Sequence, residues 1–193
     1  MKAVANETLV GLLELVALTE SSQALNTLAE TENRYLRDLK VNLGNALGFS
    51  TLTKKESYLL ALAVAINDKC TSLVEAFTRL ATDAGASQEE IAETFACVSL
   101  LNANNVFYRF RHFTKKEFYQ NTPAGIKMSI MMNPVLGKEF FELMSLMVSA
   151  LNGCEMCVNA HEASVLKLGS SEQRIYDTIR LSAIVRSFTS LYF

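Results

Sequence analysis

CTSLVEAFTRLATDAGAS, residues 70–87, and CEMCVNAHEASVLKLGSS, residues 154–171, are diverged copies of one pattern, identical at 5 of 18 positions. Each opens on a cysteine and closes on Gly-x-Ser, and the two lie 84 positions apart. The register extends outward from them. Residues 52–109 fall on 136–193 without a gap, and 13 of the 58 pairs are identical, among them Leu62/Leu146, Val64/Val148, Cys70/Cys154, Val74/Val158, Ala76/Ala160, Gly85/Gly169, Ser87/Ser171 and Ile91/Ile175. A repeat of this length is a supersecondary unit that cannot hide its apolar faces alone, so two copies are expected to pack on each other.

Within each copy the apolar residues recur at helical spacing, and no long alternating strand pattern is present. With 2 Pro and 8 Gly in 193 residues, little interrupts the helices. The expected fold is all-α, two pseudo-repeated three-helix units plus N-terminal helices in one domain over 1–193. Copy one (52–109) is expected to hold helices over 54–68, 70–84 and 88–104. Copy two (136–193) is expected to hold them over 138–152, 154–168 and 172–190. N-terminal helices near 8–30 and 32–46, within residues 1–50, cover the remainder. Thr53 with Glu56, Ser87 with Glu90, and Ser170 with Gln173 read as capping boxes. Gly85 and Gly169 read as the glycines that end the preceding helices. Pro123 and Pro134 bracket an irregular connection, 110–135, with a short helix expected around Gly125 to Met132.

Half of the chain is hydrophobic and 9% aromatic, enough for a sizeable core, and 18 Lys+Arg against 20 Asp+Glu leave a net charge of −2. That balance advertises neither a nucleic-acid nor an anionic-membrane partner. Arg109, Arg111, His112, Lys115 and Lys116 form a local basic cluster, read as a solvated face. The start TLVGLLELVAL is cut by Glu14 and does not resemble a secretory signal. The longest apolar run, Leu59 to Ile66, has eight residues, against about 18 for a membrane span. The expectation is a soluble cytoplasmic protein, in which a C-x-x-C serves redox chemistry or metal binding more often than a structural disulfide.

The repeat supplies an internal control for that pair. Where copy two has Cys157, His161 and Glu142, copy one has Leu73, Phe77 and Tyr58. The helical unit therefore needs no second thiol, imidazole or carboxylate there, and polar groups placed in a core are costly unless used. Cys154 stands in the first turn of its helix, where the dipole lowers a thiol pKa from about 8.5. Cys157 and His161 are i, i+4 and share a face. Glu142 lies roughly 15 Å back from the turn at Asn152 and His161 roughly 12 Å forward, so an antiparallel pair brings them level. Thiol, imidazole and carboxylate then form a chain suited to nucleophilic catalysis. A zinc site of Cys154, Cys157, His161 and a carboxylate, or a core that merely uses small thiols, are the alternatives. Cys70 and Cys97 have no partner at short spacing and read as structural. Met128, Met131 and Met132 read as core, and His112 as surface.

NGCEMCVNAHE, extending to FELMSLMVSALNGCEMCVNAHE (141–162), resembles the signature of the alkylhydroperoxidase D family, within the carboxymuconolactone decarboxylase-like superfamily. NNVFYR (104–109), KMSIMMNP (127–134) and KVNLGNAL (40–47) are also similar to it. The resemblance implies an all-helical homotrimer with antioxidant thiol peroxidase activity toward organic hydroperoxides and no bound cofactor. It implies Cys157 as the peroxidatic thiol, which becomes a sulfenic acid, and Cys154 as the resolving thiol that closes the disulfide. Glu142 and His161 would be the proton relay. It further implies dihydrolipoamide as external reductant, with a dihydrolipoyl acyltransferase and an AhpC-type peroxiredoxin as partners. Met156 departs from the pattern, because family members often carry histidine directly before the second cysteine. Dipole reasoning favours Cys154 as the more acidic thiol, whereas the family assigns peroxide attack to Cys157. Cys154 is expected to be the more exposed sulfur, met by the partner thiol. The superfamily's lactone decarboxylases generally lack the C-x-x-C pair.

Overall fold

Two capping boxes start helices where the sequence places them. The Thr53 and Ser87 hydroxyls accept from the amides of Glu56 and Glu90, whose carboxylates return to the cap amides. The computed structural model describes residues 6–192; residues 1–5 and Phe193, which the expected segments include, lie outside the described residues. The helices are α1 Glu7–Leu15, α2 Gln23–Glu30, α3 Arg34–Leu47, α4 Lys54–Asn67, α5 Thr71–Asp83, α6 Gln88–Thr114, α7 Glu117–Asn121, α8 Lys138–Leu151, α9 Glu155–Lys167 and α10 Glu172–Thr189. No strand occurs among the described residues, so the fold is all-α. None of these helices is long and apolar enough to cross a membrane.

Copy one comprises α4, α5 and α6, and copy two α8, α9 and α10. α4 and α8 are the central helices. Leu59 to Ala65 are buried without interruption, and so are Phe140 to Ser149, as a helix enclosed on every side must be. The third helix of each copy also packs on the first helix of the other, α6 on α8 and α10 on α4.

The polar contacts repeat with the helices. Lys55 binds Glu90 at 2.7 Å, and 84 positions on Glu139 binds Arg174 at 3.1 Å with the charges exchanged. Buried Glu93 accepts the amides of Val135 and Leu136 at 2.9 and 2.6 Å, and its counterpart Asp177 accepts the hydroxyl of Thr51 at 2.8 Å. Each of these carboxylates sits on the third helix of one copy and holds the segment that leads into the first helix of the other. The copies are thus clasped reciprocally by pairs that share geometry but not residue identity.

Arg174 carries the most of this clasp. It reaches Glu56 at 2.6 Å, Glu139 at 3.1 Å and the Thr51 carbonyl at 2.6 Å, joining the starts of α4, α8 and α10. Burial pushes the Glu56 carboxyl up, but Arg174 and the Thr53 cap outweigh it and hold it below the usual 4.5. Arg174→Ala strands two half-buried carboxylates and is expected to lower unfolding free energy by roughly 2–5 kcal/mol, read from urea midpoints at neutral pH. The sign of the pH dependence follows from a lowered folded pKa. The pair's contribution is complete above the ordinary Glu value and is lost as pH falls through the lowered one, so wild type and variant should converge in acid.

Four expectations shift. The first N-terminal helix is two. α1 ends with Ala17 at φ +52° and Leu18 donating to the Leu13 carbonyl, and α2 restarts from a Ser22 cap. α6 runs ten residues past the expected end at 104. No Gly or Pro stops it, and Arg111 stacks on Phe107 at 4.6 Å one turn back. The connection holds α7 before Pro123 and a 3₁₀ turn over Ser129–Met131 in place of a helix from 125 to 132. The cap of α10 is Ser171, accepting from the Arg174 amide, while Ser170 bonds Glu139.

Candidate active site

The turn between α8 and α9 carries the site. Gly153 closes it at φ +67°, a left-handed conformation natural to glycine. Lys69 adopts φ +60° at the same place in copy one, and Cys70 and Cys154 then start their helices with near-identical backbone. The two turns are one device, and only copy two equips it with a second thiol. Cys154 and Cys157 are joined by a disulfide, with Cα atoms 5.3 Å apart.

Glu142 projects from α8 against His161 on α9. The carboxylate Oε2 lies 2.7 Å from ring Nδ1, and Glu142 is 6% exposed. Lys138 approaches the other oxygen at 4.0 Å. In copy one Lys54 lies 5.7 Å over the Tyr58 ring instead, and Leu73 and Phe77 are fully buried core. The polar trio therefore replaces apolar packing that the same scaffold can form.

Cys157 and His161 line one cavity of about 250 Å³, together with Asn104 and Tyr108 of α6, Met128, Met131, Met156 and Ala160. Cys154 does not line it. The expected order of exposure is reversed, because Cys154 is 1% exposed and Cys157 7%. The methionines depart from expectation in part. Met131 packs against the core as expected but also lines this cavity, Met128 is half-buried at the cavity rather than core, and Met132 is 80% exposed.

A polar stripe along α6 holds the turn in place. Asn105 accepts from the Asn152 amide at 3.0 Å and donates to Ser149 at 3.0 Å. Asn67 of copy one donates to Asn152 at 3.1 Å, and Arg109 donates to the Asn152 carbonyl at 2.5 Å. One turn on, His112 meets Glu155 at 3.3 Å in the first turn of α9. Arg109 is thus a clamp on the turn, while His112, Lys115 and Lys116 remain at the solvated surface. Residues 105, 109 and 112 follow the i, i+4, i+7 spacing of one helix face. That spacing was the available signal in the NNVFYR stretch, but nothing in it names Asn152 as the partner. At the equivalent turn of copy one the counterpart Thr189 donates to the Asp68 carboxylate at 2.6 Å, with donor and acceptor exchanged.

The remaining thiols are set apart. Burial pushes the Cys97 thiol up to about 12, and burial also raises Cys70. Among the described residues no three His, Cys, Asp or Glu side chains converge as a metal site would require.

The family model for the carboxymuconolactone decarboxylase family matches residues 39–115 and 119–191, one copy in each segment. An alkyl hydroperoxide reductase AhpD of Coxiella burnetii is 36% identical over 160 residues, covering 81% of this chain and 90% of its own. One from Anaeromyxobacter dehalogenans is 36% identical over 166 residues, covering 85% and 88%. One from Rhodopseudomonas palustris is 32% identical over 164 residues, covering 85% and 90%. A repeated helical unit with a C-x-x-C at one of its two turns, and relatives this similar over most of their length, place the chain in the carboxymuconolactone decarboxylase family, with the AhpD proteins.

Proposed function

We propose that this protein is an antioxidant thiol peroxidase that reduces organic hydroperoxides through Cys154 and Cys157. The observation that carries the reading is the bonded pair itself, set beside a Glu142–His161 couple that its own repeat lacks. The names of its relatives, alkyl hydroperoxide reductases, agree with it.

In the reduced protein the Cys157 thiolate attacks the terminal oxygen of ROOH. The O–O bond breaks, Cys157 becomes a sulfenic acid, and the departing alkoxide takes a proton to give ROH. Cys154 then displaces water from the sulfenic acid and forms the disulfide. A dithiol reduces it by exchange, so that ROOH and R′(SH)₂ give ROH, H₂O and R′S₂. His161 fits the part of proton carrier. Glu142 holds Nδ1, which leaves Nε2 for the thiol and the alkoxide. Shared lining of one cavity by Cys157 and His161 supports Cys157 as the peroxidatic sulfur over Cys154, against the dipole argument.

The reductant in this reading is a dihydrolipoyl group presented by an acyltransferase, and an AhpC-type peroxiredoxin is the onward partner. Greater exposure favours Cys157 as the sulfur that a partner thiol meets. Val106, Phe110, Phe113, Phe118, Met132 and Val135 expose apolar surface around α6, α7 and the connection. Such a face suits burial between copies in a homotrimer. We place the reaction in the cytoplasm.

Thiol titration tests the class. Of the four thiols in the reduced chain, one equivalent of organic hydroperoxide should remove two. Mass spectrometry should then find a 154–157 disulfide, with Cys70 and Cys97 still free. A persistent count of four, or bound zinc in place of the disulfide, would defeat the reading.

A further inference from the structure

We infer that the cavity beside Cys157 is a substrate pocket for compact aryl or branched-alkyl hydroperoxides, in which the Asn104 carboxamide oxygen receives the terminal O–H of the peroxide. The inference rests on the peroxidase reading above and deepens it.

Three observations carry it. The cavity opens onto the peroxidatic sulfur and His161, and its other walls are methionine, the Tyr108 ring and a methyl group. Methionines adapt their shape and make favourable contacts with rings. Its volume, about 250 Å³, exceeds the roughly 150 Å³ that suffices for benzene in an apolar cavity. It therefore takes one ring, or a branched alkyl group, together with the peroxide group. Finally, Asn104 is 5% exposed, and its Oδ1 is buried without a hydrogen-bond partner while its amide contacts the Met128 sulfur at 3.2 Å. A buried acceptor left unpaired is costly unless a ligand completes it.

A hydroperoxide completes it in a productive pose. The R group fills the methionine-walled space, the O–H donates to Asn104 Oδ1, and the same terminal oxygen faces Cys157. As this oxygen bonds to sulfur it keeps its hydrogen, giving Cys157–SOH, while the alkoxide oxygen takes a proton from His161. Asn104 thus reads the peroxide group, common to every substrate, and the walls read R.

The two halves are separable by variants in the full-length protein, with dihydrolipoamide as reductant and cumene hydroperoxide or hydrogen peroxide as substrate. Ala160 is exposed at the cavity's edge, so Ala160→Phe fills the space without entering the core. It should lower kcat/KM for cumene hydroperoxide by roughly tenfold or more relative to its effect on hydrogen peroxide. Asn104→Leu should lower kcat/KM for both substrates alike, by roughly tenfold. Binding of 2-phenyl-2-propanol, the product of cumene hydroperoxide reduction, to the disulfide form should be seen by NMR and lost in Ala160→Phe. This readout needs no turnover. Wild-type turnover with equal effects of Ala160→Phe on both substrates, or no effect of Asn104→Leu, overturns the pocket and leaves the peroxidase intact. Absence of wild-type turnover with either peroxide overturns both.

Discussion

Cys157→Ser is expected to abolish hydroperoxide consumption with dihydrolipoamide as reductant, a fall of at least about 10³-fold in kcat. The loss is this large because nothing else can take its place. Cys97 is buried away from the cavity with a thiol pushed up to about 12, and Cys70 stands alone at the equivalent turn of copy one. Cys154 is 1% exposed and does not line the cavity. The expected signature of Cys154→Ser is different. One round of peroxide attack at Cys157 still occurs, but the sulfenic acid persists and is trapped by a carbon nucleophile such as dimedone. Near wild-type turnover in Cys157→Ser would remove the central assignment. Turnover lost equally in both variants, with no trappable sulfenic acid in Cys154→Ser, would reverse the roles of the two sulfurs.

Glu142→Gln and His161→Phe are each expected to slow the peroxide reaction by roughly 10²–10⁴-fold, the usual reach of positioned proton transfer. His161→Phe installs the residue that copy one carries at Phe77, but there the neighbouring position is Tyr58 and not a buried carboxylate, so its stability must be followed with its rate. Glu142→Gln keeps an acceptor for Nδ1 but removes the carboxylate charge beside the ring. Single-turnover kinetics with excess hydroperoxide, started from reduced protein, isolates the chemical step. Denaturant unfolding run alongside separates lost chemistry from lost fold. An unchanged single-turnover rate in either variant would strike that residue from the relay. Equal defects in the singles and the double would show that the pair acts as one unit.

Much of this site is legible in the sequence. The register between the copies marked Cys157, His161 and Glu142 as departures from a core pattern. Helical rise alone predicted that Glu142 and His161 would come level, and they meet at 2.7 Å. Such inferences succeed because helix geometry is regular over short separations. The exposure of the two sulfurs departs from the expectation for a corresponding reason. A first-turn position suggests access, but burial depends on which elements lie across it, and α6 packs against α9.

By itself the sequence determined the helical class, the two-copy architecture, the capped helix starts and the residues that set copy two apart. These follow from periodicity, short-range capping chemistry and a register read along one chain. Tertiary structure alone decided the clasp of Arg174 on Glu56 and Glu139, and the hold of Asn105 and Arg109 on the turn at Asn152. It likewise decided the place of Met128 and Met131 on the cavity wall, and the isolation of the Asn104 oxygen. Each depends on residues far apart in the chain, brought together by how α10 meets α4 and α8 and how α6 meets α8 and α9. The pairs that do this work in the two copies, such as Lys55–Glu90 and Glu139–Arg174, preserve geometry while exchanging charge. Similarity of residues therefore could not reveal them, and the packing of the helices did.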